Sequence, residues 1–378
     1  MSVPLSLRAA LEQAVVDGVF PGAVLAVRRG VTDTWLITAG RLSSQPPGDA
    51  VTSSTIYDLA SLTKPLATVT ALALLVQEGR CRLDDPIESL LPELAGAAVG
   101  SATLRHLLTH SSGLPGWRGF YERLSPQAVL PASEQERSRA EAQVLHLIGR
   151  EPLLYERGSR SLYSDLGFML LGMAVERGGK TRLDEYVRRR IVEPTGAKLL
   201  HYLPTDQEGK RRLASLIGQM APTEWDDWRK RLLVGEVHDE NAAALGGVAG
   251  HAGLFGTAEA VLAVSGAWLS AYHGRSSLLN RDVVREFVRP PNEGAASTWV
   301  LGWEMPSVPS SSGRHFSRQS FGHLGYTGTS IWIDPVGELE VVLLSNRVHP
   351  TRKNEKIRAF RPAIHDLVYQ ERVRGVAG

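Results

Sequence analysis

Ser61 and Lys64 have the residue types and the spacing for nucleophilic chemistry. Residues three apart lie on one face of a helix, with roughly 5–6 Å between their β-carbons. An amine at that distance can reach a hydroxyl, and a weak oxygen nucleophile needs such a neighbour for its activation. Because Ser-x-x-Lys also occurs by chance in many helices, the pair alone does not establish a catalytic site.

Pro65, directly after this pair, indicates where the helix begins. Proline has no amide hydrogen and fits without penalty only in the first turn of a helix. We therefore expect the helix to begin close to Ser61, with the hydroxyl at the positive end of the helix dipole. The apolar stripe downstream predicts a buried helix that ends near Gly79.

A second motif, Tyr-Ser-Asp at residues 163–165, comes just before the apolar run at residues 166–175. A loop at this place would present its side chains to a site. In the alternative interpretation, Asp165 is the N-cap of the following helix and Tyr163 only packs. Asp165 can do both.

A third motif, His-Leu-Gly-Tyr-Thr-Gly, occupies residues 323–328 and opens a predicted strand. Glycines in a strand let a substrate backbone approach closely, and the strand amides can face a bound carbonyl. The alternative is a hairpin with glycine bends.

Taken together, in this order and spacing, the three motifs resemble those of the serine β-lactamase and penicillin-binding superfamily, which carries Ser-x-x-Lys, Tyr-x-Asn and Lys/His-x-Gly. The sequence is most similar to class C β-lactamases, D,D-peptidases and family VIII esterases. The stretches at residues 106–115 and 163–172 add to the likeness, which spans roughly residues 6–370.

The resemblance implies a role for each matching residue. Ser61 would be the acylated nucleophile, and Lys64 would deprotonate it, with desolvation lowering the lysine pKa and leaving part of it neutral. Tyr163 would relay or accept the proton and serve the leaving group. The backbone amides of Ser61 and Tyr326 would form the oxyanion hole. Whether Lys64 or Tyr163 is the base stays open.

Two positions depart from the family pattern. His323 stands where many relatives have lysine, and an ordinary histidine has a pKa of about 6.5, so its hold on a substrate carboxylate should be weak and pH-dependent. Asp165 replaces the usual asparagine, and its charge would raise the pKa of Lys64 against the desolvation. The sequence does not say which effect wins. Asp165, His323 and Gly325 are predicted to bind substrate.

The glycine-rich block at residues 237–256 resembles a subgroup associated with peptidoglycan and muropeptide hydrolysis. His238, Asp239 and His251 could line the site or bind a metal, and we predict substrate contact for His251. In the alternative interpretation the block is a hydrogen-bonded loop packed on the helical domain. No tight ligand spacing supports a metal, and no phosphate-binding loop occurs, so we predict no metal and no cofactor.

Composition and charge limit the class of protein and the partners that can be expected. The 378 residues have 43% hydrophobic and 22% charged residues, as in an ordinary globular protein. The net charge of +2 comes without a basic stripe, so neither nucleic acid nor an anionic membrane is expected as a partner. We predict no membrane span, and the absence of a signal-peptide pattern favours the cytoplasm. Cys81 is the single cysteine, which rules out an internal disulfide framework.

Strand patterns near both ends of the chain flank a helical middle. They predict an α/β (α+β) fold of β-lactamase type, an antiparallel sheet flanked by helices with an all-α insertion. The α/β domain would comprise residues 1–60 and 241–378, and residues 61–240 would form the mainly helical domain that carries the nucleophile helix.

These patterns predict a serine hydrolase that cleaves an amide or ester through an acyl-Ser61 intermediate. Peptidoglycan-derived peptides or small esters are the expected substrates, with β-lactams as weak ones. The partner would be a small molecule or peptide, and no pattern indicates an oligomeric state. The alternative is a penicillin-binding sensor or receptor that is acylated without turnover.

Overall fold

The computed structural model describes residues 3–30, 32–44, 46–291 and 297–374. Its α-helices are α1 Leu5–Val16, α2 Thr70–Gln77, α3 Leu104–Leu108, α4 Tyr121–Leu124, α5 Glu134–Gly149, α6 Asp165–Gly179, α7 Leu183–Val187, α8 Glu193–Thr195, α9 Gln207–Leu216, α10 Glu240–Ala244, α11 Ala258–Tyr272, α12 Arg281–Phe287 and α13 Ile357–Arg374. Its strands are β1 Gly22–Arg29, β2 Asp33–Gly40, β3 Tyr57–Asp58, β4 Leu200–Tyr202, β5 Trp225–Asp226, β6 Arg231–Leu232, β7 Leu254–Gly256, β8 Phe321–Leu324, β9 Ser330–Asp334 and β10 Leu339–Ser345.

The main sheet joins the two ends of the chain. Its five strands run antiparallel in the order β2-β1-β10-β9-β8. The β1–β10 pairing aligns Ala23 with Ser345 and Arg29 with Leu339. The predicted antiparallel sheet built from both ends of the chain is therefore confirmed.

The two faces of this sheet are covered differently, because successive strand residues point to opposite sides. Leu25 and Leu343 face a smaller core that includes Leu7 and Leu11 of α1 and Ile364 of α13. Val24, Ala26, Val342 and Leu344 belong to the large core, which continues through the helices of the middle of the chain. A closely packed layer of helices therefore holds the sheet on each side.

The nucleophile segment lies inside the large core. The stretch Ala60–Gln77 is long and apolar enough to cross a membrane by composition, but 83% of it is buried within the protein. Such a segment is a core helix that can hold a side chain rigidly at its first turn.

The helical middle of the chain also contains strands that periodicity did not predict. Strand β4 pairs with β7, and β7 pairs with β3, in a second, three-stranded sheet, while β5 and β6 form a two-stranded ribbon. Residues 61–240 are therefore mainly helical but not entirely so. Where the two domains divide stays a prediction.

Candidate active site

Ser61 lies at the start of its helix, as predicted. It belongs to a 3-10 turn, Ala60–Leu62, which leads through a π-helical turn, Lys64–Val69, into α2. The helix ends at Gln77, and Gly79 follows with a φ of +68°. The hydroxyl of Ser61 is half-buried, while the helix behind it is buried.

The backbone before Ser61 is held in a rarely occupied conformation. Ala60 has a φ of +47°, in the left-handed region that residues with a β-carbon seldom occupy. Its amide donates to Asp58 Oδ1 at 2.8 Å, and Asp58 Oδ2 accepts from the amide of His238 at 2.6 Å. Asp58 thus fixes the turn that presents Ser61.

Lys64 uses all three of its ammonium donors. Its Nζ lies 2.9 Å from Ser61 Oγ, 2.6 Å from Asp165 Oδ1 and 3.1 Å from the carbonyl oxygen of His251. Burial lowers the pKa of Lys64, but the charges and hydrogen bonds of Asp165 and Tyr163 outweigh it, so the pKa is raised. The sequence left open which effect dominates, and in the structure ion pairing exceeds desolvation at Lys64.

Tyr163 lies over the lysine, with its ring centroid 4.8 Å from Lys64 Nζ. Burial raises the pKa of Tyr163, and the ammonium of Lys64 opposes this only in part. At neutral pH the resting site therefore holds an ammonium at Lys64 and a protonated phenol at Tyr163.

The N-cap of α6 is Ser164, and the prediction that Asp165 caps this helix is wrong. The Ser164 hydroxyl accepts from the amide of Gly167 at 3.2 Å. Asp165 is the first residue of the helix, and its own amide donates to the carbonyl of Gly116 at 2.8 Å. Because the serine satisfies the helix end, the Asp165 carboxylate is left to pair with Lys64.

His323 is buried beside these groups. Its ring centroid lies 6.0 Å from that of Tyr163 and 5.5 Å from that of Trp299. Burial and the nearby charge of Lys64 lower the pKa of His323 to about 3. The expectation that it titrates near pH 6.5 is therefore wrong, and it stays neutral at every pH near 7.

Two aromatic residues of the site had no assigned role. The ring of His110 packs against that of Tyr163 with the centroids 4.6 Å apart, and its Nδ1 accepts from the amide of Ser164 at 3.1 Å. Trp299 packs against Tyr163 at 5.3 Å. His110 lies in the stretch at residues 106–115 that resembles the family, whereas no pattern in the sequence pointed to Trp299.

The turn after β8 is fixed directly against the nucleophile segment. Thr329 Oγ1 donates to the carbonyl of Leu59 at 3.0 Å. A β-carbon on Gly325 would lie 1.9 Å from Thr329 Oγ1 and 2.7 Å from that carbonyl oxygen, so glycine is required here. Within the part of the chain that the structure describes, no partner is found for the amide of Tyr326. That amide is free to meet a ligand.

The glycine-rich block contributes backbone to the site. The His251 imidazole is buried and contacts Asp239, Nε2 to Oδ1 2.8 Å, so that only the carbonyl of His251 meets Lys64. A β-carbon on Gly172 of α6 would lie 2.7 Å from Gly250, so the block packs tightly on the helices. Among residues 3–30, 32–44, 46–291 and 297–374, no group of three or more His, Cys, Asp or Glu side chains is arranged to hold a metal.

Comparison with known proteins identifies relatives both in sequence and in fold. A curated protein of Escherichia coli K12, named "Putative D-alanyl-D-alanine carboxypeptidase", is 35% identical over 320 residues, covering 79% of this chain and 70% of its own. The hydrolase EstCE1 superposes with a TM-score of 0.69 at 20% identity, over 95% of this chain and 97% of its own. The octameric penicillin-binding protein homologue of Pyrococcus abyssi gives 0.68 at 20% identity, over 94% and 76%.

The two solved structures share the fold at low identity, and the curated relative shares sequence over most of the chain. The family described as Beta-lactamase matches residues 7–364, a range that includes all three motifs. The chain therefore belongs to the Beta-lactamase family and is a serine hydrolase of that kind.

Proposed function

We propose that this enzyme hydrolyses an amide or ester through a covalent acyl intermediate on Ser61. The observation that carries the proposal is the contact of 2.9 Å between Ser61 Oγ and Lys64 Nζ, with Tyr163 against the same ammonium. Each of these residues stands at its place in the family motif.

In the first step the Oγ of Ser61 bonds to the substrate carbonyl carbon. The carbonyl oxygen gains negative charge, which the backbone amides of Ser61 and Tyr326 would stabilise. The C–N or C–O bond then breaks, and the amine or alcohol leaves with the proton that came from the hydroxyl. Water attacks the acyl group in turn, which releases the acid and restores Ser61.

The proton acceptor must first lose its own proton. The resting ammonium of Lys64 donates to Ser61 and cannot accept, and the phenol of Tyr163 is protonated. One of the two becomes the base on deprotonation. The Lys64–Asp165 ion pair determines the pH at which this deprotonation occurs, so activity should rise with pH above neutrality.

For the substrate, we propose a peptidoglycan-derived peptide or a small ester, with β-lactams as weak substrates. The name of the curated relative refers to D-alanyl-D-alanine, and EstCE1 is described as a hydrolase with promiscuous acyltransferase activity. The neutral His323, which replaces the lysine of many relatives, supports a weak hold on carboxylate-bearing β-lactams.

Turnover of p-nitrophenyl butyrate tests the nucleophile. Ser61→Ala should reduce kcat/KM at least about a thousandfold, while Ser54→Ala, on an exposed loop serine, serves as the matched control. Intact mass after a fluorophosphonate should show one adduct on the wild type and none on Ser61→Ala. Equal turnover by Ser61→Ala would refute the assignment.

The second candidate is a penicillin-binding sensor that is acylated without turnover. The ionised Lys64 favours it, because an ammonium cannot deprotonate the water needed for deacylation. Intact mass after a penicillin would separate the two: a stable stoichiometric adduct without steady-state turnover of esters supports the sensor, and continuous turnover supports the hydrolase.

A further inference from the structure

Among the described residues, none is a hydrogen-bond partner of the second ring nitrogen of His323, and whether that nitrogen is a donor or an acceptor can be assigned. The Nδ1 of His323 lies 2.8 Å from the carbonyl oxygen of Leu324, which can only accept. The proton of the neutral imidazole is therefore on Nδ1, and Nε2 carries a lone pair. Nε2 is buried, and no described residue donates to it.

The surroundings of His323 do not supply that donor. The rings of Tyr163 and Trp299 pack against it, and the cation that acts on it is Lys64. Lys64 already donates to Ser61, Asp165 and the carbonyl of His251. A buried acceptor without a donor costs free energy, which a ligand with an N–H or O–H group would recover.

His110 adds a complementary group next to the same two rings. Its Nδ1 accepts from the amide of Ser164, so its proton is on Nε2, which is buried and has no acceptor among the described residues. Its ring contacts Tyr163 and Trp299, as the ring of His323 does. This corner of the site thus offers one free acceptor and one free donor, which match the N–H and C=O of an amide.

We propose that the substrate portion bound against His323 is an uncharged hydrogen-bond donor, an amide or hydroxyl group, and not a carboxylate. The inference rests on the proposed acyl transfer at Ser61 and narrows its substrate class. A carboxylate offers only acceptors, so it could accept from His110 but would leave the lone pair of His323 without a donor in a buried site. A site built to accept from a donor discriminates strongly against analogues that lack one.

A pair of aryl esters with the same acyl group tests this preference. One leaving group is 3-hydroxybenzamide and the other is 3-hydroxybenzoate, so that the two differ in the amide or carboxylate that they carry. The wild type should show a kcat/KM at least about tenfold higher for the carbamoyl ester. Equal values would mean that Nε2 of His323 meets only water, and a preference for the carboxylate ester would equally overturn the proposal.

Variants at His323 test whether this residue causes the preference for the carbamoyl ester. His323→Lys introduces a cationic donor and should reverse the ratio of the two esters, whereas His323→Gln, which keeps an acceptor, should retain the preference for the carbamoyl ester. The melting temperature of each variant checks folding. A ratio unchanged in His323→Lys contradicts the role of His323.

Binding to Ser61→Ala separates this inference from the proposed function. Calorimetry with 3-hydroxybenzamide and 3-hydroxybenzoate measures the preference without any turnover. Tighter binding of the amide, by at least about tenfold, supports the inference even where no ester is hydrolysed. Tighter binding of the benzoate, equal binding or no binding of either overturns it, while loss of p-nitrophenyl butyrate hydrolysis by the wild type overturns only the proposed function.

Discussion

Lys64 and Asp165 form an ion pair of 2.6 Å at the base of the site, with the lysine side chain fully buried and the aspartate 17% exposed. Desolvation and pairing act on the pKa of Lys64 in opposite directions, and pairing is the stronger. Removing one partner of such a pair leaves an uncompensated buried charge. The resting site is therefore stable but protonated, and in the proposed mechanism a proton must leave it before Ser61 can be activated.

Asp165→Asn should move the pH profile of the enzyme to lower pH. In the wild type, the negative charge of Asp165 raises the pKa of both Lys64 and Tyr163. The substitution removes that charge but keeps an oxygen that can accept a hydrogen bond. Burial then acts on Lys64 with less opposition, so its pKa falls and the base forms at lower pH. We would measure kcat/KM for p-nitrophenyl butyrate from pH 6 to 10. The limb that rises with pH should shift to lower pH.

The matched control for this variant is Asp282→Asn, on an exposed residue of α12. Its pH profile should coincide with that of the wild type. A profile of Asp165→Asn that is unchanged, or that moves to higher pH, would show that the ion pair does not control the base.

Features of this site that depend on residues close together in the sequence could be predicted from the sequence. The start of the helix at Ser61 followed from Pro65, because the proline constraint is local. The N-cap was misassigned because Ser164 and Asp165 both have side chains that cap helices, and only the fold shows which one turns to the helix amides. The balance of pKa effects at Lys64 could not be predicted, since it depends on burial by residues distant in sequence.

Arg361 of α13 is expected to position the turn at residues 325–329, which carries the Tyr326 amide of the proposed oxyanion hole. Its Nη2 donates to the carbonyls of Gly325 and Thr329, at 2.9 and 2.7 Å, on either side of the turn that carries the Tyr326 amide. Lysine lacks the planar guanidinium that holds this one nitrogen between the two carbonyls. Arg361→Lys should therefore lower kcat for p-nitrophenyl butyrate about tenfold to a hundredfold, with a smaller change in KM.

Arg358→Lys is the matched control, because Arg358 lies on the same helix with its side chain 74% exposed. It should leave kcat and the melting temperature unchanged. If Arg361→Lys lowers the melting temperature but keeps kcat, Arg361 is only a structural residue and does not position the turn.

Trp299 and His110 show why part of the site could not be predicted. Trp299 contacts Tyr163 from a segment far further along the chain, where no repeat or periodic pattern marks a site. His110 is in the left-handed conformation, with φ +56°, which turns its ring under Tyr163. Contacts of this kind arise from the packing of distant elements, and spacing along one chain does not encode them.

Gly172→Ala tests whether the glycine-rich block must pack directly on α6. An added β-carbon would lie 2.7 Å from both Cα and N of Gly250, and a backbone cannot move aside cheaply. The overpacking should cost about 1–3 kcal/mol, or a fall in melting temperature of about 2–10 °C. Because the neighbouring His251 carbonyl holds Lys64, hydrolysis of p-nitrophenyl butyrate should fall as well. Gly218→Ala is the control, because beyond its chain neighbours no atom of a described residue lies within 4 Å of the new carbon. It should shift stability by less than about 1 kcal/mol. Equal melting temperatures for the two variants would mean that the block does not depend on this contact.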